Sequence, residues 1–185
     1  MLVLYLVLIL LFTGLGILFA PSSAQVGSTR PEDTIPEHLL ALTGFGLLLG
    51  IGGMLIYGRK GLPLVVLTPV LTVGLDLDHL PAYLGYSQTI RPAHSLVFFA
   101  AALVLTAIMI KAPDMELVVA SAFMGHMAVD TGLFAPFSPI SFQYFPLGPY
   151  RLAFAGGALL CALGAGAILR LGGRDSIKGG GRTKG

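Results

Sequence analysis

The chain has 185 residues, 55% of them hydrophobic and only 11% charged, whereas ordinary soluble domains carry roughly a quarter charged residues. Such a composition excludes a conventional water-soluble domain and points to an integral membrane protein, a single bundle at this length. The lone cysteine, Cys161, lies in an apolar run, which excludes an intramolecular disulfide and a thiolate metal cluster and makes it a packing residue.

Crossing the hydrocarbon core takes roughly 20 helical residues, and six segments approach that length: residues 1–20, 38–57, 62–75, 94–110, 117–134 and 152–171. The expected fold is therefore all-α, a polytopic bundle of about six transmembrane helices over residues 1–171, followed by a flexible basic tail over 172–185. The first segment has a rival reading as a signal peptide, with Ser22-Ser23-Ala24 as the cleavage region, and cleavage would leave five helices. No Lys or Arg precedes its apolar run, which favours retention. Residues 21–36 are polar and proline-containing and read as a connecting loop. Small residues at helical spacing, Gly46 with Gly50 and Ala153, Gly157, Cys161 and Ala165, suit close contact between helix backbones.

Orientation follows from the excess of Lys and Arg in cytoplasmic loops. With six alternating helices and a cytoplasmic tail, the inside holds Arg59, Lys60, Lys111, Arg170, Arg174, Lys178, Arg182 and Lys184, and the outside only Arg30, Arg91 and Arg151. Both termini are thus expected inside a plasma or inner membrane. The tail charges read as anchors to anionic lipid, and no nucleic acid is expected as a partner.

The side chains that depart from this apolar pattern fall in three clusters. Asp76, Asp78 and His79 follow the third segment; Arg91, His94 and Ser95 open the fourth; His126 and Asp130 lie in the fifth. An Asp in a membrane helix costs roughly 2.5–3.5 kcal/mol on insertion scales and marks a functional site by default. His126 and Asp130, four apart, share one helix face. Alternating helix direction brings all three clusters to the extracytoplasmic side, where imidazoles and carboxylates suit a divalent ion, zinc first, with manganese, iron or magnesium open. Such a set is enough for one ion, or for two that share a bridging carboxylate. The bland alternatives are an interfacial turn at residues 76–79, an orienting ion pair between Arg91 and Asp76 or Asp78, and a structural hydrogen bond between His126 and Asp130. His38, beside Glu37, reads as an interfacial residue.

In these residues the chain resembles the membrane-bound metal-dependent hydrolases, the LexA-regulated inner-membrane family of the YdjM type. The matching elements are Asp76-Leu77-Asp78-His79, Arg91-Pro92-Ala93-His94-Ser95, and Gly125-His126 with Asp130, across about a third of the chain. The resemblance implies Asp78, His94, His126 and Asp130 as metal ligands, with Asp76 and His79 as further ligands or their supports. Many members carry a histidine where this chain has Thr89, which bears on how many ions are held. The expected activity is hydrolysis of a phosphoester or lipid-linked substrate, with Asp76 or Asp130 as general base and Arg91 on a phosphate oxygen. Two other classes compete with it. One is a structural or accessory subunit of a membrane complex, and the other is an electron carrier with His94 and His126 as axial haem ligands.

Overall fold

Long apolar runs with few charges fold here as helices, in which each backbone N–H bonds to a carbonyl of the same segment. The computed structural model describes residues 2–19, 35–79, 91–130, 133–141 and 143–179. Within them lie six α-helices: α1 (Leu2–Phe19), α2 (Ile35–Tyr57), α3 (Leu62–Gly74), α4 (Leu96–Met109), α5 (Pro113–Val129) and α6 (Arg151–Gly179). Short 3₁₀ turns at Leu75–His79 and Pro92–His94 prolong α3 and precede α4. The strands β1 (Leu133–Phe134) and β2 (Phe145–Pro146) pair antiparallel, with Leu133 opposite Pro146 and Phe134 opposite Phe145. The expected loop before α2 and the position of Thr89 lie outside the described residues.

Two helical stretches, Leu62–His79 with 18 residues and Gly148–Leu171 with 24, are able by length and composition to cross a membrane. Leu2–Gly16, Leu39–Leu55 and Leu96–Met109 are shorter apolar helices.

Helix boundaries differ from the hydropathy reading where polar residues act as caps. α5 begins at Pro113, ahead of its apolar run, because proline suits a first helical turn and Asp114 and Glu116 complement the positive helix end. It stops at Val129 instead of continuing to residue 134. Asp130 turns to an extended conformation (φ −60°, ψ 137°) and so sits at the helix end, although its backbone N–H still reaches the His126 carbonyl at 3.0 Å. Ser95 caps α4 by accepting from the Phe98 N–H at 3.0 Å, so His94 lies on the preceding 3₁₀ turn. At its far end α6 continues through Gly172 and Gly173 to Gly179; glycine in a helix costs about 1 kcal/mol without forbidding it.

α5 is the central helix. Val118 to Phe123 and Gly125 to Ala128 are buried, and Phe98, Phe123, Leu71, Leu75 and Ile9 join α1, α3, α4 and α5 in the main core. On α1, Tyr5 and Phe12 meet Phe98 edge-on, with ring centroids 5.7 and 5.4 Å away. Against α6, α5 packs through small residues, with Ala158, Ala162 and Ala165 buried. The buried stripe of α6 is thus carried chiefly by these alanines; Cys161 is only partly buried, and Gly157 faces Met124, whose Sδ would lie 2.5 Å from an added Cβ.

The pair Gly46 and Gly50 brings α2 against α3 backbone to backbone. A Cβ on Gly46 would lie 2.6 Å from Pro69 Cα, and one on Gly50 2.6 Å from the Leu64 carbonyl oxygen. Backbone atoms cannot swing aside as side chains do. We therefore expect Gly50→Ala to destabilise the detergent-solubilised chain by about 1–3 kcal/mol, the usual cost of overpacking. Gly52→Ala, where nothing lies within 4 Å, should hold or raise the thermal midpoint, since alanine favours the helix, and thermal unfolding of the two variants side by side checks both.

Candidate metal centre

The last carbonyls of a helix have no partner within it, and the end of α3 uses this to place an imidazole. Nδ1 of His126, on α5, lies 2.7 Å from the carbonyl oxygen of Thr72 in the last turn of α3. A carbonyl only accepts, so Nδ1 carries the proton and Nε2 presents its lone pair. The 3₁₀ turn after α3 buries Asp78, whose Oδ2 accepts from the Ala93 N–H at 3.2 Å and lies 2.9 Å from His94 Nδ1. Beside a carboxylate, Nδ1 of His94 is again the protonated nitrogen. Ser95 Oγ–H donates to the Pro92 carbonyl at 2.7 Å and locks the turn that carries His94.

The Nε2 atoms of both rings therefore point to one place. His94 Nε2 and His126 Nε2 are 2.7 Å apart, so either a proton shared between the rings or a metal cation lies against the pair. Asp76 Oδ1 is 3.6 Å from His126 Nε2 and 3.8 Å from His94 Nε2, and Asp130 Oδ2 is 3.8 Å from His94 Nε2. Two nitrogens and the Asp76 oxygen lie around one point, with Asp130 Oδ2 beside His94, and such nitrogen and carboxylate donors suit a divalent ion such as zinc. Imidazoles on such an ion stand about 3.3 Å apart, so the rings need to open by only about half an ångström. A metal-ligating histidine ordinarily donates its other ring N–H to a carboxylate or a carbonyl, and here Asp78 and Thr72 fill those two roles. The buried Asp and His groups are thus able to hold a metal ion.

Charge leads to the same conclusion. Among the described residues, Asp76, Asp78 and Asp130 gather three carboxylates near the guanidinium of Arg91, in a centre where His94, His126 and Asp78 are fully buried. The C-terminal ends of α3 and α5, each negative by its helix dipole, converge on it as well. Buried charge of one sign is costly without a counter-ion.

Arg91 lies at the rim. Its Nε donates to His79 Nε2 at 2.8 Å and its Nη1 to Asp130 Oδ2 at 2.6 Å. The side chains of Arg91 and His79 are 26% and 27% exposed, against 12% for Asp76 and 6% for Asp130. Access to the donors, among the described residues, is therefore past Arg91 and His79. Arg151 stabilises the wall of the site by donating from Nε to the Ala128 carbonyl at 2.9 Å, which caps the end of α5.

All seven residues singled out in the sequence, Asp76, Asp78, His79, Arg91, His94, His126 and Asp130, meet in this one network. Their positions are not equivalent. Asp78 stands behind His94, on its Nδ1 side, while Asp76 lies on the Nε2 side with both histidines. His79 touches the carboxylates at 3.6 Å but points its Nε2 at Arg91. Sequence reasoning missed Thr72, which acts through its backbone, and the capping role of Arg151. It also missed Gly16 on α1, where any side chain would collide with Pro92 of the turn that bears His94. Only the placement of Thr72 within a turn of the break at Gly74 offered a signal for it.

No known protein family, curated protein or solved structure matches the chain.

Proposed function

We propose that the chain is a polytopic membrane hydrolase that holds a divalent ion, zinc first, and acts on a phosphoester or lipid-linked substrate at the extracytoplasmic face. The observation that carries the metal reading is the approach of His94 Nε2 and His126 Nε2 to 2.7 Å with their protons committed to Asp78 and Thr72. His94, His126, Asp76 and Asp130 are the ligands in this reading, and Asp78 orients His94 from behind. An ion so held supplies Lewis acidity and activates water at neutral pH. Arg91, with one edge on Asp130 and a quarter of its side chain exposed, is placed to bind a phosphate oxygen as it enters. Asp76, 12% exposed and within 4 Å of both histidines, is the candidate proton acceptor.

Membrane residence is supported by the outer surface. Leu10, Leu11 and Leu18 of α1, Leu40, Leu48 and Leu55 of α2, Val66 of α3, Val104 and Ile108 of α4 and Leu152 and Leu160 of α6 are exposed. Soluble monomers rarely expose apolar surface so continuously. Packing of α1 against the turn carrying His94 supports retention of the first segment. Hydrolysis itself rests on the resemblance of residues 76–79, 91–95 and 126–130 to the membrane-bound metal-dependent hydrolases. Against the haem alternative, a porphyrin would have to pass between His94 Nε2 and His126 Nε2, and 2.7 Å leaves no slot for it.

Elemental analysis of the detergent-purified chain, after chelation and reloading with zinc or manganese, tests the metal reading. Stoichiometric metal is expected, and a chain that retains none sinks it. A panel of phosphodiesters and phospholipids, assayed with the loaded chain and with Asp76→Asn, tests hydrolysis. Metal without turnover of any of them would leave a structural subunit as the better description.

A further inference from the structure

Beside the position shared by His94 Nε2 and His126 Nε2, the structure contains a second group of metal-type donors. His79, Asp78 and His94 each offer a ligand atom, all within 4.8 Å of one another. His79 Nε2 lies 3.6 Å from Asp78 Oδ1 and 3.6 Å from Asp76 Oδ1. His94 belongs to both groups and its Nε2 already faces the first position, so His79 and Asp78 are the donors left for a second ion, with the Asp76 carboxylate between the two positions.

A cation already stands at the second group. Arg91 Nε is 2.8 Å from His79 Nε2, so the lone pair that would face a metal receives an N–H instead. Arg91 Nη1 is 2.6 Å from Asp130 Oδ2, the same oxygen that lies 3.8 Å from His94 Nε2. Asp130 thus has the placement of a bridging carboxylate, with the guanidinium on one side and the two-histidine position on the other.

We propose that Arg91 is a built-in substitute for a second metal ion, so that the centre binds one divalent ion and is closed to a second. The inference rests on the metal reading above and deepens it. Charge balance argues for it independently of the distances. Among the described residues, one divalent ion together with the Arg91 guanidinium would match the three carboxylates of Asp76, Asp78 and Asp130. A second divalent ion would leave two positive charges in excess in a buried space, which is costly. An arginine cannot relieve that excess by losing its proton, since guanidinium stays charged in proteins. The substitution also has a functional meaning. The Arg91 side chain is 26% exposed, so an anionic substrate oxygen that reached it would lie between a divalent ion and an arginine, the clamp usually made by two metals.

The test is a count of ions with a spectroscopic readout. The full chain in detergent, stripped with chelator and dialysed against manganese(II), is expected to hold one ion per chain and to give the spectrum of an isolated ion in electron paramagnetic resonance. Arg91→Gln, nearly the same shape but neutral, is expected to hold two ions with an exchange-coupled spectrum, and Arg91→Lys only one. His79→Ala added to Arg91→Gln should return the count to one. Two coupled ions in the wild-type chain overturn the inference, as does a folded Arg91→Gln that still binds one; Arg91→Met repeats the comparison if the glutamine variant does not fold. A wild-type chain that takes up no manganese and no zinc overturns the metal reading beneath it and the inference with it, and is told apart from the other failures by the count of zero.

Discussion

Replacing His126 by alanine is expected to remove bound metal and to destabilise the fold in the same step. The ring supplies Nε2 to the centre and, through Nδ1–H, occupies the carbonyl of Thr72 at the end of α3. Its loss deletes a ligand, leaves a buried carbonyl without its donor, and opens a void where His126 is fully buried. A buried acceptor left unsatisfied costs about 1–3 kcal/mol, and truncation of a large buried side chain adds a cavity term of similar size. We expect a loss of roughly 3 kcal/mol or more in thermal or denaturant unfolding in detergent, together with metal below detection by elemental analysis. A variant as stable as the wild type would mean that α3 and α5 are not tied through this ring.

The second prediction separates the roles that His126 combines. Asp78→Asn keeps an oxygen able to accept from the His94 ring and from the Ala93 N–H, so the fold should survive with little change. What disappears is the negative charge behind the His94 ring, which makes its Nε2 a better donor. Loss of such a supporting partner typically weakens metal affinity about 10–100-fold. Competition with a chelator of known affinity measures this directly. An unaltered affinity in Asp78→Asn would place Asp78 among the packing residues, and a collapse of stability with metal retained would favour the purely structural reading of the cluster.

The residues of the centre were legible in the sequence because polar side chains are conspicuous within long apolar runs. Asp76, Asp78, His79, His126 and Asp130 stand out against apolar runs, and alternation of helix direction is sufficient to bring them to one level. Which atom of each residue faces the centre was not legible. Asp76 and Asp78 are two residues apart on a short 3₁₀ turn, and hydropathy cannot tell which carboxylate meets Nε2 of His94 and which its Nδ1. The end of α5 was misplaced for a related reason. Leu133 and Phe134 continue the apolar pattern, but β1 pairs them with Phe145 and Pro146, partners distant in sequence. Thr72 was invisible because it contributes a backbone carbonyl, and every residue has one.

The supports of the two histidines have a consequence for how the centre is filled. Asp78 and the Thr72 carbonyl hold the rings through bonds made entirely within the protein, so the cage is built before any ion arrives. In many small metal proteins, capture and folding are one event, and removing the ion unfolds the chain. Here the two rings are held without an ion, so what an empty centre lacks is a counter-charge for its carboxylates and not the placement of His94 and His126. The ion entering past Arg91 and His79 then finds donors already aimed. Little ordering entropy would then remain to be lost at that moment, and under the proposed reading the supply of metal, rather than the ordering of these two rings, would set when the centre becomes complete.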